Sequence, residues 1–276
     1  MRSYTGSIIL PLSVLLTNLN PVHVSPDGGS PIRARGVCRC SLRLLQAFWA
    51  LILLGAGIPG LHAISQKEQL VFLEEILFQK KLMANGSYVV RWNRQPTLSV
   101  MSGKPREIAA LERALDALDR PLRPTGYRIL RGEDGEAEAD ILVYHLRYEQ
   151  LPGLLEELGL GPRFAQLNRA HGFFNEDGSL EKVYLFLDDR LASTPGDLQR
   201  RTLKLLLAAL GMPGETRLPV RSIFFEVPPL GIAEEIPTDL SPIDVRAIRL
   251  LYAYLEAGDS IEAMRLTFNR QWGRLR

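Results

Sequence analysis

From Ile64 onward the apolar residues switch repeatedly between a helical period and an alternating one, and the switches divide the chain into elements. Leu70, Phe72-Leu73, Ile76-Leu77 and Leu82 keep a helical spacing, which predicts a helix over Gln66–Met83 ending near Asn85-Gly86. Tyr88–Trp92 and Thr97–Met101 read as strands separated by Pro96. Ile108, Leu111, Leu115 and Leu118 form one stripe, predicting a helix over Glu107–Arg120 that Pro121 and Pro124 stop. Tyr127–Arg131 and Asp140–Leu146 read as strands around the acidic turn Gly132–Glu138, and short helical stretches follow at Leu154–Leu158 and Pro162–Arg169. His171–Phe174 and Lys182–Leu187 pair as a hairpin across Asn175-Glu176-Asp177-Gly178. Thr194 caps a strongly apolar helix that begins at Pro195 and runs to Leu210, with Gly211 as its stop. A Pro-rich connection, Pro213–Asp239, holds the apolar Ser222-Ile223-Phe224-Phe225. Ser241-Pro242 then opens a helix to about Glu256, with Asp244 placed for a capping box, and a last helix covers Ile261–Trp272. Nothing repeats. The pattern predicts one α+β domain, a mixed sheet packed on helices.

The residues before Ile64 follow another logic. Arg35, Arg39 and Arg43 precede the uncharged apolar run Leu44–Leu54, which Gly55, Gly57, Pro59 and Gly60 break before Leu61-His62-Ala63. A basic start, an apolar middle and a small residue at the exit are the parts of a secretory signal peptide. Residues 1–63 are therefore expected to be an N-terminal extension and signal peptide, with 36–63 the signal proper and Val37 a candidate initiation point. An uncleaved membrane anchor is the rival reading, weakened by the Gly/Pro end of the run. Residues 64–86 are then the N-terminal helix, and 87–276 the main domain. The expected destination is outside the cytoplasm, in a periplasm or the medium.

Charge narrows the partners. Of 33 basic and 31 acidic residues, five arginines and one acid precede Ile64, which leaves 28 basic and 30 acidic residues in the domain. A near-neutral domain lacks the basic excess that phosphate backbones require, so no nucleic-acid partner is expected. Both cysteines, Cys38 and Cys40, fall in the leader, so the domain has neither disulfides nor thiolate metal ligands.

The order of elements then carries a resemblance. A strand near Trp92, a helix, the strand at Ala139-Asp140-Ile141-Leu142-Val143, an edge hairpin and a long helix ending Leu210-Gly211-Met212 come in sequence. Ser222-Ile223-Phe224 and Leu240-Ser241-Pro242-Ile243-Asp244, with Ile248 and Leu251-Tyr252, follow. Over about Tyr88–Met264 this resembles the metzincin zinc peptidases, above all their matrix-peptidase branch. There the active-site helix ends Leu-Gly-Leu, a Ser-Ile-Met turn lies below the metal, and a Leu-Ser-x-x-Asp helix closes the domain. It is closer still to a family of exported bacterial domains without an established role, in which Ser-Ile-Phe replaces Ser-Ile-Met. The resemblance implies a zincin-like fold with a peptide-binding edge strand.

The zinc motif of that fold is missing. A metzincin helix carries His-Glu-x-x-His-x-x-Gly-x-x-His, so that two imidazoles one turn apart face one metal and the Glu activates its water. Aligned on Gly211, the three His positions hold Lys204, Ala208 and Gly214, and the Glu position holds Leu205. No metal, no cofactor and no catalytic residue is expected. The remaining histidines, His145 and His171, are expected to be structural or exposed, and no Gly-x-Ser-x-Gly elbow, Walker loop or complete dinucleotide loop is present. Asp188-Asp189, Glu234-Glu235 and Arg200-Arg201 are expected at the surface. Phe173, Tyr184 and Phe186, with Phe174, are candidates for a groove that takes an extended peptide, part of them turning to the core instead. The sequence thus points to an exported, non-catalytic peptide- or protein-binding domain of the cell envelope. The alternatives are a hydrolase with His145 or His171 as base, and a purely structural envelope component.

Overall fold

The alternating segments build the sheet and the helical stripes cover it. A computed structural model describes residues 64–78, 88–188, 190, 194–218, 220–225 and 237–275. The leader, the end of the first predicted helix, Asp189 and Glu234-Glu235 lie outside these residues. The strands are β1 (Thr97–Ser102), β2 (Leu130–Arg131), β3 (Ile141–His145), β4 (Arg169–Phe174) and β5 (Leu180–Leu187). They form one five-stranded mixed sheet in the order β2-β1-β3-β5-β4, all parallel except β4, which runs antiparallel to β5 at the edge. Among the described residues there are six α-helices, α1 (Gln66–Leu77), α2 (Pro105–Leu122), α3 (Leu151–Glu157), α4 (Pro195–Ala209), α5 (Pro242–Tyr254) and α6 (Ile261–Gln271). The fold is α+β.

Burial follows the strand period. All five residues of β3 are buried, as expected of a central parallel strand covered on both faces. On one face α4 packs against β4 and β5 and against α2, and α5 packs on α2. On the other, Leu142, Tyr144 and Phe186 meet Leu151, Leu155 and Phe164, so the short α3 and the turn after it form a thin cover.

Local signals place the helix ends. Thr194 accepts a hydrogen bond from Asp197 N at 3.1 Å, and Ser241 N donates to the Asp244 carboxylate at 2.8 Å, giving both expected caps. Gly211 ends α4 at φ 89°, and a Cβ there would lie 1.9 Å from the Val90 carbonyl oxygen, so only glycine fits. The last carbonyls of α4 are satisfied from outside the helix: Trp92 Nε1 donates to Ala209 O and the Tyr252 hydroxyl to Leu210 O, both at 2.8 Å.

Three expectations are corrected. Tyr88–Trp92 is not a sheet strand but an extended segment with single bridges from Tyr88 to Ser260 and Arg91 to Ser179. Val89 spends its backbone on the turn before α6, receiving from Gly258 N and donating to Asp259 O. Tyr127–Arg131 shrinks to the two residues of β2 because Tyr127 turns inward, its hydroxyl bonded to Trp92 O at 2.8 Å. Pro162–Arg169 holds only a single 3-10 turn, since Asn168 adopts a left-handed φ of 56° and Arg169 already starts β4.

Candidate functional site

The positions aligned with a zinc site lie on α4 and the turn behind it, and they form a sealed contact. Leu205 and Ala208 are buried, within a run from Leu205 to Leu210 that is buried throughout. Lys204 points instead to Glu215, and their side chains form an ion pair at 10% and 14% exposure. An ammonium group thus stands at the position that the metzincin resemblance aligns with a first ligand, and it bridges α4 and the turn behind it. Arg200, one turn earlier, adds to this charge: burial pushes its guanidinium below its usual range, Glu215 and Asp197 opposing, and it donates to Phe225 O at 3.0 Å. Arg200, expected on the exposed side of the helix, is half-buried, with the Phe225 carbonyl against its guanidinium.

Gly214, which the resemblance aligns with a third ligand, has no room for any side chain. Its N–H donates to Ile76 O at 3.0 Å, and a Cβ would lie 1.9 Å from Glu75 O and 2.6 Å from the Ile76 Cα. The end of α1 thus fills the space beside this turn. Thr216, fully buried, donates to the Glu75 carboxylate, and Phe72 of α1 meets the ring of Phe224 edge-on at 6.1 Å. Among the described residues no three His, Cys, Asp or Glu side chains come together as metal ligands would.

Glu215→Ala is expected to cost about 2–3 kcal/mol, because the Lys204 ammonium would stay buried without this carboxylate. The double change Lys204→Met with Glu215→Leu should return to within about 1 kcal/mol of the parent, since two apolar groups remove both desolvation penalties. Urea titration of the two variants checks this. A double variant as unstable as the single one would contradict the pair's role.

Ser222, Ile223 and Phe224 are almost completely buried, Phe224 against Phe72 of α1, and are held by one carboxylate. Asp244, itself fully buried, accepts from the Ser222 hydroxyl, from Ile223 N at 3.1 Å, and from Ser241 N and the Ser241 hydroxyl at 2.8 Å each. Burial pushes its carboxyl above the ordinary range, and these hydrogen bonds oppose the shift.

The aromatic candidates on the hairpin separate. Phe186 and Phe174 are buried, while Phe173 and Tyr184 are half-buried. Phe173 stacks on Phe164 at 5.6 Å and meets Tyr184 edge-on at 5.7 Å. Of the residues expected to line a groove, Phe173 and Tyr184 keep partial exposure and Phe186 is buried, with the turn carrying Phe164 packed against Phe173. What stays available is the edge itself, as β4 has a hydrogen-bonded sheet neighbour on one side only among the described residues.

The two histidines lie on opposite faces of the sheet. His171 is fully buried between the rings of Phe164 and Phe186, both 5.4 Å away, with Nε2 bonded to Gln166 O at 3.2 Å. Desolvation pushes its pKa below the ordinary 6.5, the Gln166 contact opposing and Arg169 adding to the shift. Its folded value thus lies under its unfolded one, so below about 6.5 the unfolded chain binds more protons and stability falls with pH. Urea titrations between pH 7.5 and 5.5 should show His171 contributing a loss of up to about 1.4 kcal/mol per pH unit, a component absent from His171→Gln. An unchanged slope in that variant would rule the assignment out.

His145 closes β3 on the other face. Its side chain is 2% exposed and its Nδ1 lies 3.7 Å from Oε2 of Glu107, whose side chain is 4% exposed. Both line a cavity of about 650 Å³ together with Lys104, Arg147, Glu149 and Arg190. Asp188, expected at the surface, is buried and receives Arg190 Nη2 at 2.7 Å. Sequence reading missed Glu107 and Glu215 because each is an acid in a helix turn or loop whose partner belongs to a different element. The only local signal was Glu107 standing three residues after Lys104, where it accepts from Lys104 N at 2.8 Å.

No protein-family model matches the chain, and no curated protein is similar to it.

Proposed function

We propose that the protein is an exported, non-catalytic domain of metzincin-like architecture that binds a peptide or an envelope protein along the edge of its sheet. The observation that carries this reading is the Lys204–Glu215 ion pair in the place of the first metal ligand, beside a Gly214 pressed onto the backbone of α1. A divalent cation would meet an ammonium there, and the third ligand position admits no imidazole. The sheet order with its single antiparallel edge strand, the two long helices α2 and α4, the buried Ser222-Ile223-Phe224 and the Ser241–Asp244 cap all support the metzincin-like part.

The binding part rests on β4. Strand addition uses main-chain N–H and C=O groups, so it survives the loss of catalytic side chains. Half-buried Phe173 offers an aromatic surface next to that edge. Export rests on the leader pattern before Ile64. No helix among the described residues is long and apolar enough to cross a membrane.

Hydrogen exchange of the full chain, with and without a pool of envelope peptides, tests the site. Slowed exchange at Arg169–Phe174 is expected. Protection elsewhere, with β4 unchanged, would refute the edge as the binding surface.

A further inference from the structure

We propose that the crevice at the carboxyl ends of β1, β3 and β5 is a binding site for a small ligand bearing an oxyanion group, a phosphate or a carboxylate. It is separate from the β4 edge and does not depend on the peptide-binding reading.

Topology puts the crevice where open parallel sheets tend to bind ligands. From β1 the chain leaves through α2 to β2 on one side, whereas from β3 it leaves through α3 and β4 to β5 on the other. The strand order therefore reverses between β1 and β3, and the connections diverge to leave a gap beyond the strand ends. The gap holds about 650 Å³, within the range of small-molecule sites.

Its floor is an ionisable pair. Glu107 and His145 have side chains only 4% and 2% exposed, yet both face the cavity. Two buried titratable groups set against a cavity mark a candidate ligand site. Gly103 keeps the floor tight, since a Cβ there would lie 3.2 Å from His145 Cδ2. Glu107 also accepts from Lys104 N, so the start of α2 already has its carboxylate and is not the source of the site's affinity for anions.

That affinity comes from the rim. Lys104, Arg147 and Arg190 stand there against one exposed acid, Glu149. Lys104 and Arg190 are 67% and 48% exposed at their side chains although each is paired: Lys104 Nζ lies 3.6 Å from Glu107, and Arg190 holds the buried Asp188 through Nε and Nη2, the latter at 2.7 Å, and reaches Glu149 through Nη1 at 3.5 Å. The acids other than Glu149 are the buried members of the cluster and the cations are the exposed ones, so an incoming ligand meets positive charge first. The guanidinium of Arg147 suits a planar carboxylate or a phosphate, while Arg190, its Nε and Nη2 held by Asp188, and Lys104 add positive charge at the rim.

Calorimetry on the full chain tests this with sulfate and with succinate, each against chloride at equal ionic strength. Saturable binding of at least one anion is expected, sulfate alone indicating a tetrahedral oxyanion and succinate alone a carboxylate. Lys104→Ala with Arg147→Ala should weaken binding about tenfold or more, the loss expected for one charge-assisted hydrogen bond. If that double variant misfolds, the imidazole resonances of His145 in the parent give a second readout and should shift on titration. No binding above the chloride control, undiminished binding by a folded double variant, or an unmoved His145 would each overturn the proposal.

Discussion

Replacing Gly214 with alanine is expected to destabilise the domain by about 3 kcal/mol or more, a large effect for one added methyl group. The methyl would sit 1.9 Å from Glu75 O and 2.6 Å from the Ile76 Cα, both of them backbone atoms that no rotamer change can move. The helix α1 would have to withdraw, and with it the buried Phe72, Leu73, Ile76 and Leu77. Gly214→His, which places the larger imidazole against the same backbone atoms, should be worse still. Thermal and urea unfolding of Gly214→Ala measure the cost. Stability within about 0.5 kcal/mol of the parent would mean that α1 does not fill this space.

Asp244→Ala should cost about 3–5 kcal/mol, because four donors converge on a carboxylate that is itself fully buried. Removing it leaves Ile223 N and Ser241 N buried without acceptors, and frees both the Ser222–Phe224 turn and the start of α5. Asp244→Asn should cost less, about 1–2 kcal/mol, because it keeps an acceptor oxygen and removes a buried charge. The direction of the pKa shift agrees. With the folded value above the unfolded one, ionisation weighs against the fold as pH rises through that interval, and a neutral side chain escapes this penalty. Equal losses for the two variants would show that shape, not the acceptor set, is what matters here.

What the sequence disclosed was mostly local. The caps at Thr194 and Ser241 and the stop at Gly211 each depend on residues within a few positions, and the structure contains all three. The hairpin turn at Asn175–Gly178 and the strand β3 were legible for the same reason. Failures came where a segment's fate is decided by distant partners. Val89 and Trp92 alternate like strand residues, but they spend their hydrogen bonds on the turn before α6 and the end of α4. Tyr127 has the aromatic character of a strand residue and lies instead beside Tyr252, with ring centroids 4.3 Å apart. Phe173 and Phe186 share one face of the sheet, and nothing in their spacing shows that Phe164 would fold across that face.

The candidate site shows the same division. The absence of the ligand motif on α4 was readable from Lys204, Leu205, Ala208 and Gly214. What replaces the motif was not. The Lys204–Glu215 pair spans eleven residues through a turn, and the contact between Gly214 and Glu75 joins segments far apart in the chain. The cavity at the strand ends depends on β1, β3 and β5 ending side by side, which only the sheet order determines.

The zinc content of the full chain, purified without chelator and without a histidine tag, tests the central claim most directly. The account predicts a value near zero and no thermal shift when zinc is added. About one zinc per chain, with a rise in melting temperature, would contradict it and make a metal-dependent hydrolase the leading reading.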